Sequence, residues 1–383
     1  MFKTLMSDGY RPMILCAMAC SAICMALGAM IVTGVLALPH PWLGIDWFAH
    51  EMVFGFGGAA LASFMLVAIP NWSGHPIATG RGLVGLISLW IAGRLAVFFA
   101  ADLPSPLVLL IDVGFLGFIA ARSAQLLIRG KAPHNLPLAV VAGFCAIANA
   151  SFHLGASSYG AAVMHPAAKF GIALIVLMIA LVGGRVLALF TRNWLNAKSH
   201  PRLTPFFDVL DAATLTVTAP AMLLWAMHPE NPISAIGLVV AGLFNAARWI
   251  RWQRIMLWKE PLLISLQGAY LFVPLGLGLL AASMIRPEIA SSAAIFAWLA
   301  GALGLMPIAV LARIALTQAV HPIKGNTKDA LGFACIFVSG VLFTATSFAP
   351  TNVSLHSIAA ISWITGYGTL FWRYAPVLGR PRP

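Results

Sequence analysis

Residues 170–184 read FGIALIVLMIALVGG, with Lys169 before them and Arg185 after. No polar residue interrupts the run, so it has neither the alternation of a half-buried strand nor the polar stripe of a surface helix. A helix apolar on every side needs lipid around it, and roughly 20 such residues cross a bilayer. The same reading extends along the chain. Apolar runs fall near 13–37, 50–69, 82–101, 105–128, 136–155, 167–190, 206–227, 232–256, 261–285, 290–317, 329–348 and 353–375. They are parted by Pro, Gly, Asn or charged residues. The expected fold is all-α, a polytopic membrane helix bundle of about twelve transmembrane helices, forming a single domain over 1–383.

Composition agrees with this reading. Of 383 residues, 61% are hydrophobic and 9% charged, against about 25% charged in a soluble domain. The net charge of +12 therefore reports topology and contact with anionic lipid rather than a nucleic-acid partner. With the twelve spans threaded, twenty of the 23 Lys and Arg residues fall on one side. Only Arg94, Lys169 and Arg286 fall on the other. The positive-inside rule then places both termini in the cytoplasm. The first apolar stretch is too long for a signal-peptide core, so no cleaved leader is expected. Cys16, Cys20, Cys24, Cys145 and Cys335 all lie in apolar runs and imply no disulfide framework. No Walker loop, dinucleotide fingerprint, zinc-protease motif or Ser/His/Asp pattern is present, which disfavours ATP-driven transport and hydrolase chemistry.

Polar groups inside a span are costly and mark candidate sites. His50 opens the second span in Trp47-Phe48-Ala49-His50-Glu51-Met52, either as a metal ligand beside a supporting carboxylate or as an interfacial cap. Asn149 and His153 are four apart and share a helix face. They are either ligand and orienting partner or a polar helix contact. Two imidazoles on separate helices suit a b-type haem. Asp112 is expected to pair with Arg94 or Lys169, or to relay protons. His356 is a further candidate metal ligand. His40, His165 and His228 read as loop residues. Cys16, Cys20 and Cys24 form a stripe that is either a soft copper site or small apolar packing. Arg185, after Gly183-Gly184, is a candidate propionate clamp or a topological anchor. Asp208 and Asp211 either cap the seventh span or open a route for protons.

Together these pieces resemble the NnrS family, haem- and copper-containing membrane proteins of the nitric oxide response. The matching runs, in order, begin with Gly9-Tyr10-Arg11-Pro12, His50-Glu51-Met52 with Phe54-Gly55-Phe56, and Pro70-Asn71-Trp72-Ser73-Gly74. Gly93-Arg94, Asn135-Leu136-Pro137 and Asn149 to Gly155 follow. The last are Gly183-Gly184-Arg185-Val186, Phe190-Thr191-Arg192-Asn193-Trp194 and Trp372-Arg373-Tyr374-Ala375-Pro376. Three departures stand out. The usual Trp-His-x-His-Glu-Met has Phe48 at its first His. Further family histidines fall near Gln267, Phe296 and Gln318. Neither Phe nor Gln replaces imidazole as a ligand, so one metal site is expected to be missing, which favours haem b over copper.

The resemblance implies a multi-pass protein of the bacterial inner membrane, acting in nitric oxide metabolism or nitrosative-stress defence. It implies haem bound by His50 and His153, or by one of them, toward the periplasmic side, with Asn149 and Arg185 as further cofactor contacts. Glu51, Asp112 and Arg94 would serve proton supply or charge balance if nitric oxide is reduced. The expected partners are lipid, nitric oxide, and quinol or another electron donor. A non-catalytic haem or nitric oxide sensor and a twelve-span secondary transporter are the alternatives.

Overall fold

A computed structural model describes residues 2–37, 40–42, 44–159, 166–199, 207–253, 255–318 and 323–380. Every described regular element is helical. Eleven helices are long and apolar enough to cross a membrane, so the chain is a multi-pass membrane protein. They are α1 Tyr10–Ile31, α2 Asp46–Ser73, α3 Gly80–Phe98, α4 Ser105–Arg129, α5 Pro133–Gly155, α6 Ala168–Ala197, α7 Val209–Met227, α8 Pro232–Trp252, α9 Pro261–Ile285, α10 Ser292–Gln318 and α11 Thr327–Thr346. A twelfth helix, α12 Val353–Leu378, has 26 residues. Its length suffices to cross, but His356 and a scatter of Ser, Thr, Gly and Tyr dilute its apolar content. It falls outside the group of eleven.

Local chemistry sets the boundaries. α1 stops short of the expected 37 because the chain turns at Gly34, whose φ of 75° lies in the left-handed region where a side chain would strain the backbone. α3 and α4, parted in the sequence only by Asp102, Pro104 and Pro106, separate at a turn between Phe98 and Ser105. α7 begins with a reciprocal cap: the Asp208 carboxylate accepts from the backbone N–H of Asp211, and the Asp211 carboxylate accepts from that of Asp208. The capping role expected of these two residues is thus present. Asn326 and Asp329 repeat the device on α11.

Three helices differ from the rest. α2, α6 and α10 run 28, 30 and 27 residues and are longer than any other of the eleven spans. Each contains a π-helical turn, at Glu51–Phe56, Ile179–Gly183 and Ala297–Leu303. Three spans separate each from the next, a period of four that the side-chain sequence does not betray. Such turns widen the helix by one residue, free backbone carbonyls and recur at functional sites. In α2 the Gly55 carbonyl accepts from the Trp90 indole at 3.3 Å.

The contacts divide the chain into two compact units. One comprises Met1–Gly171, Ile314–His321 and Phe371–Pro383. The other comprises Ile172–Arg313 and Pro322–Leu370. In the first, 94% of the apolar window of α2 is buried, which makes this helix the natural carrier of an enclosed site.

Candidate functional site

The first unit buries a cluster of ionisable side chains drawn from α2, α3, α4 and α5. Its centre is the Asp112 carboxylate, whose Oδ2 lies 3.1 Å from His50 Nε2 and 2.8 Å from His153 Nε2. The Asn149 amide nitrogen donates to the same oxygen at 2.9 Å, and its Oδ1 lies 2.8 Å from His50 Nε2. Asn149 and His153 thus reach Asp112 from one face of α5. The other Asp112 oxygen accepts from Arg94. Arg94 also donates to Glu51 Oε1 at 2.7 Å, and that oxygen lies 3.2 Å from His50 Nδ1. Of the two partners proposed for Asp112, Arg94 is the one it meets.

The π-turn of α2 carries Glu51 and Gly55 of this cluster. Gly55 faces the ion pair: a Cβ there would stand 2.7 Å from Arg94 Nη1 and 2.8 Å from Glu51 Oε2. Aromatic rings close the cluster. Trp42 packs 5.1 Å from the His50 ring and 5.0 Å from the His153 ring, and Phe152 and Phe54 flank His50. His40 orients Trp42. Its Nδ1 accepts the Trp42 backbone N–H at 3.0 Å, while its Nε2 donates to the Val97 carbonyl at 2.6 Å. Reading His40 as a plain loop residue, from its flanking prolines, missed this role.

His50 carries an informative mismatch. A neutral imidazole has one N–H and one acceptor nitrogen. Here both ring nitrogens face acceptors, Glu51 at Nδ1 and Asp112 with Asn149 at Nε2. The formal charges point the same way. Glu51 and Asp112 supply two negative charges against the single positive charge of Arg94, in a setting where His50, Glu51 and Asp112 are at most 2% exposed. An uncompensated buried charge is costly, so the cluster calls for one more positive charge, supplied by an imidazolium at His50 or by a bound cation. One nitrogen, one carboxylate oxygen and one further nitrogen, from His50, Asp112 and His153, lie within 4.8 Å of one another. Two His and one carboxylate form a recognised metal-binding set that leaves coordination positions open.

A haem held between His50 and His153 does not fit this arrangement. The two rings meet edge to face with centroids 5.2 Å apart, and both Nε2 atoms converge on one Asp112 oxygen. A flat macrocycle has no slot between them. What the geometry offers at this point is a His50–Asp112–His153 group that could hold a metal ion.

A second group lies beside it. Cys20 and Cys24 on α1 have sulfurs 3.7 Å apart, and the Cys24 thiol donates to Glu51 Oε2 at 4.0 Å. Two of the three cysteines in the expected stripe therefore converge on the carboxylate that supports His50. Phe48, standing where the family pattern has His, lays its ring on Gly28.

Other nominated residues belong to the second unit. Arg185 is exposed and stacks over Phe207 at 5.3 Å. His356 sits in the first turn of α12 with Nδ1 3.0 Å from the Asn352 carbonyl, and the two metal-competent groups found among the described residues do not include it. His165 lies outside the described residues. The second unit also buries a polar network that the sequence reading did not assemble. Arg248, fully buried, pairs with Asp211 and donates to the Tyr270 hydroxyl at 2.9 Å and to the Ala180 carbonyl in the π-turn of α6 at 2.6 Å. Tyr270 in turn donates to Asn245 at 2.8 Å.

A family model described as "NnrS protein" matches residues 4–382. The chain belongs to the NnrS family. This membership supports a membrane protein of the nitric oxide response and suggests metal cofactors. The His50–Asp112–His153 group gives this NnrS chain residues able to hold a metal. No curated protein matches it.

Proposed function

We propose that this NnrS chain captures nitric oxide at a single non-haem metal ion, with iron the best match, held by His50, Asp112 and His153. The observation that carries the reading is the double acceptor environment of His50. With a cation at Nε2, the remaining Nδ1–H donates to Glu51, the usual arrangement by which a carboxylate orients a metal-bound imidazole. A bound ferrous ion would supply open positions for a small diatomic ligand. The chain's own groups do the rest. Arg94 balances Glu51 and Asp112, Asn149 fixes the Asp112 carboxylate, and Trp42 and Phe152 exclude water. Nitric oxide dissolves in lipid and needs no polar channel to reach such a site. The partition of basic residues supports placement in a cytoplasmic membrane with this cluster toward the outer side.

Metal analysis and an absorption spectrum of the purified protein test the proposal. The expected result is stoichiometric iron without a Soret band, and an iron–nitrosyl signal on adding nitric oxide. The iron should be lost together in His50→Ala, Asp112→Asn and His153→Ala. A Soret band removed by His50→Ala would replace the proposal with haem.

A further inference from the structure

The second unit contains a cavity of about 480 Å³, within the range of small-molecule sites. It lies among α8, α9, α11 and the short Ile255–Lys259 turn. Its lining is largely apolar and aromatic, with Trp249, Trp258, Phe333 and Phe337 among the walls. Two buried polar side chains line it, Ser265 and Gln267, each 4% exposed, and the Ser265 hydroxyl already donates to the Leu262 carbonyl. The Gln267 carbonyl oxygen accepts from the Gln253 amide at 2.7 Å, but its amide nitrogen has no hydrogen-bond partner among the described residues. A buried donor without an acceptor is rare in folded proteins and asks for one.

We propose that this cavity binds the headgroup of a lipid-soluble quinone. Each part of the ligand's chemistry follows from a feature of the wall. The free group is a donor, so the ligand must present an acceptor such as a carbonyl oxygen. The aromatic lining suits a flat ring. Lys259 is exposed at the rim and offers a second donor. Ala334 and Val338 border the cavity and are exposed on the apolar flank of α11, so the approach is from lipid and the ligand carries an apolar tail. An acyl chain alone would leave the Gln267 donor unmatched. The inference stands on the second unit by itself and holds or fails independently of the metal site.

Full-length protein in lipid nanodiscs, photolabelled with a short-tailed azidoquinone and mapped by mass spectrometry, tests it. Label is expected within 249–271 and 330–338, displaced by excess decylubiquinone. Binding should weaken about tenfold in Gln267→Leu, the loss expected for one neutral hydrogen bond. Ala334→Phe, at an exposed position that packing does not constrain, should narrow the mouth and lower labelling without affecting folding. Three results would overturn the proposal: label spread over all helices, displacement by oleate as readily as by quinone, or unchanged labelling in folded Ala334→Phe. If Gln267→Leu fails to fold, Ala334→Phe decides.

Discussion

His50 Nε2 stands 3.1 Å from Asp112 Oδ2, on helices that the chain visits two spans apart. Asp112 supplies both the charge and the geometry of the proposed metal site. Asp112→Asn keeps the size of the side chain and its capacity to accept from Arg94. It removes one negative charge, leaving Glu51 and Arg94 balanced and no surplus to attract a cation. Metal affinity should fall by more than the roughly 10–100-fold seen for groups that only support metal ligands. Metal content after dialysis against a graded chelator measures this, and unchanged retention would remove Asp112 from the ligand set.

Arg94 bridges Glu51 and Asp112 and is itself only slightly exposed. Arg94→Leu leaves two buried carboxylates facing each other without a counter-charge. Breaking a buried ion pair from one side costs about 3–5 kcal/mol, so this variant should lose that much stability in metal-free protein. Arg94→Lys keeps the charge but gives up the forked geometry and should lose less. Thermal unfolding in detergent compares the two. Equal stability of wild type and Arg94→Leu would show that the carboxylates are not both charged.

Gly55→Ala tests whether the widened turn of α2 positions the ion pair. The added methyl would lie 2.7 Å from Arg94 Nη1, closer than any ordinary contact, and must displace the guanidinium. No metal ligand changes. Weaker metal binding with normal expression is therefore the expected result, in titrations against the wild type. Tight binding with altered stability alone would make Gly55 a packing residue only.

Much of this was legible in the sequence, and the limits have physical causes. Lipid forces apolar helices, so the bundle could be read from composition and run lengths. His50, Glu51, Arg94, Asp112, Asn149 and His153 were each visible as polar groups in spans, because few other reasons exist for placing them there. Their mutual geometry was not visible. Whether two imidazoles face each other across a haem or share a carboxylate depends on helix rotation, and the π-turn within α2 leaves no mark on hydropathy. The Arg248 network was missed for a related reason. Arg248 lies near a helix end, where basic residues normally report topology.

His40 gives the pH dependence. Burial is the main influence on its ring and holds its pKa below the ordinary value of 6.5, partly offset by the hydrogen bond to the Val97 carbonyl. The neutral ring is the form that accepts from Trp42. Because the folded value is depressed, its contribution is fully present above the unfolded value and is lost as pH falls through the folded one. Exchange of the Trp42 amide, corrected for its intrinsic rate, should therefore accelerate below about pH 6.5. His40→Gln should abolish that dependence. A flat corrected profile in the wild type would refute the role.

The Asp211–Arg248 pair predicts an asymmetry between its two single mutants. Asp211→Leu strands the guanidinium of Arg248, which is fully buried and pressed against the backbone so closely that a Cβ on Gly184 would stand 2.6 Å from it. The Ala180 carbonyl and the Tyr270 hydroxyl remain as partners, but neither carries charge. Arg248→Met strands less, because Arg251 still donates to Asp211 at 2.7 Å. The first variant should lose about 3–5 kcal/mol and the second distinctly less. Combining them removes both buried charges of the pair, and an apolar replacement of a buried pair is often close to neutral. The double variant should accordingly be more stable than Asp211→Leu alone, a non-additivity that a double-mutant cycle of unfolding free energies reads directly. Additive losses would mean that Arg248 is held by Ala180 and Tyr270 rather than by the carboxylate.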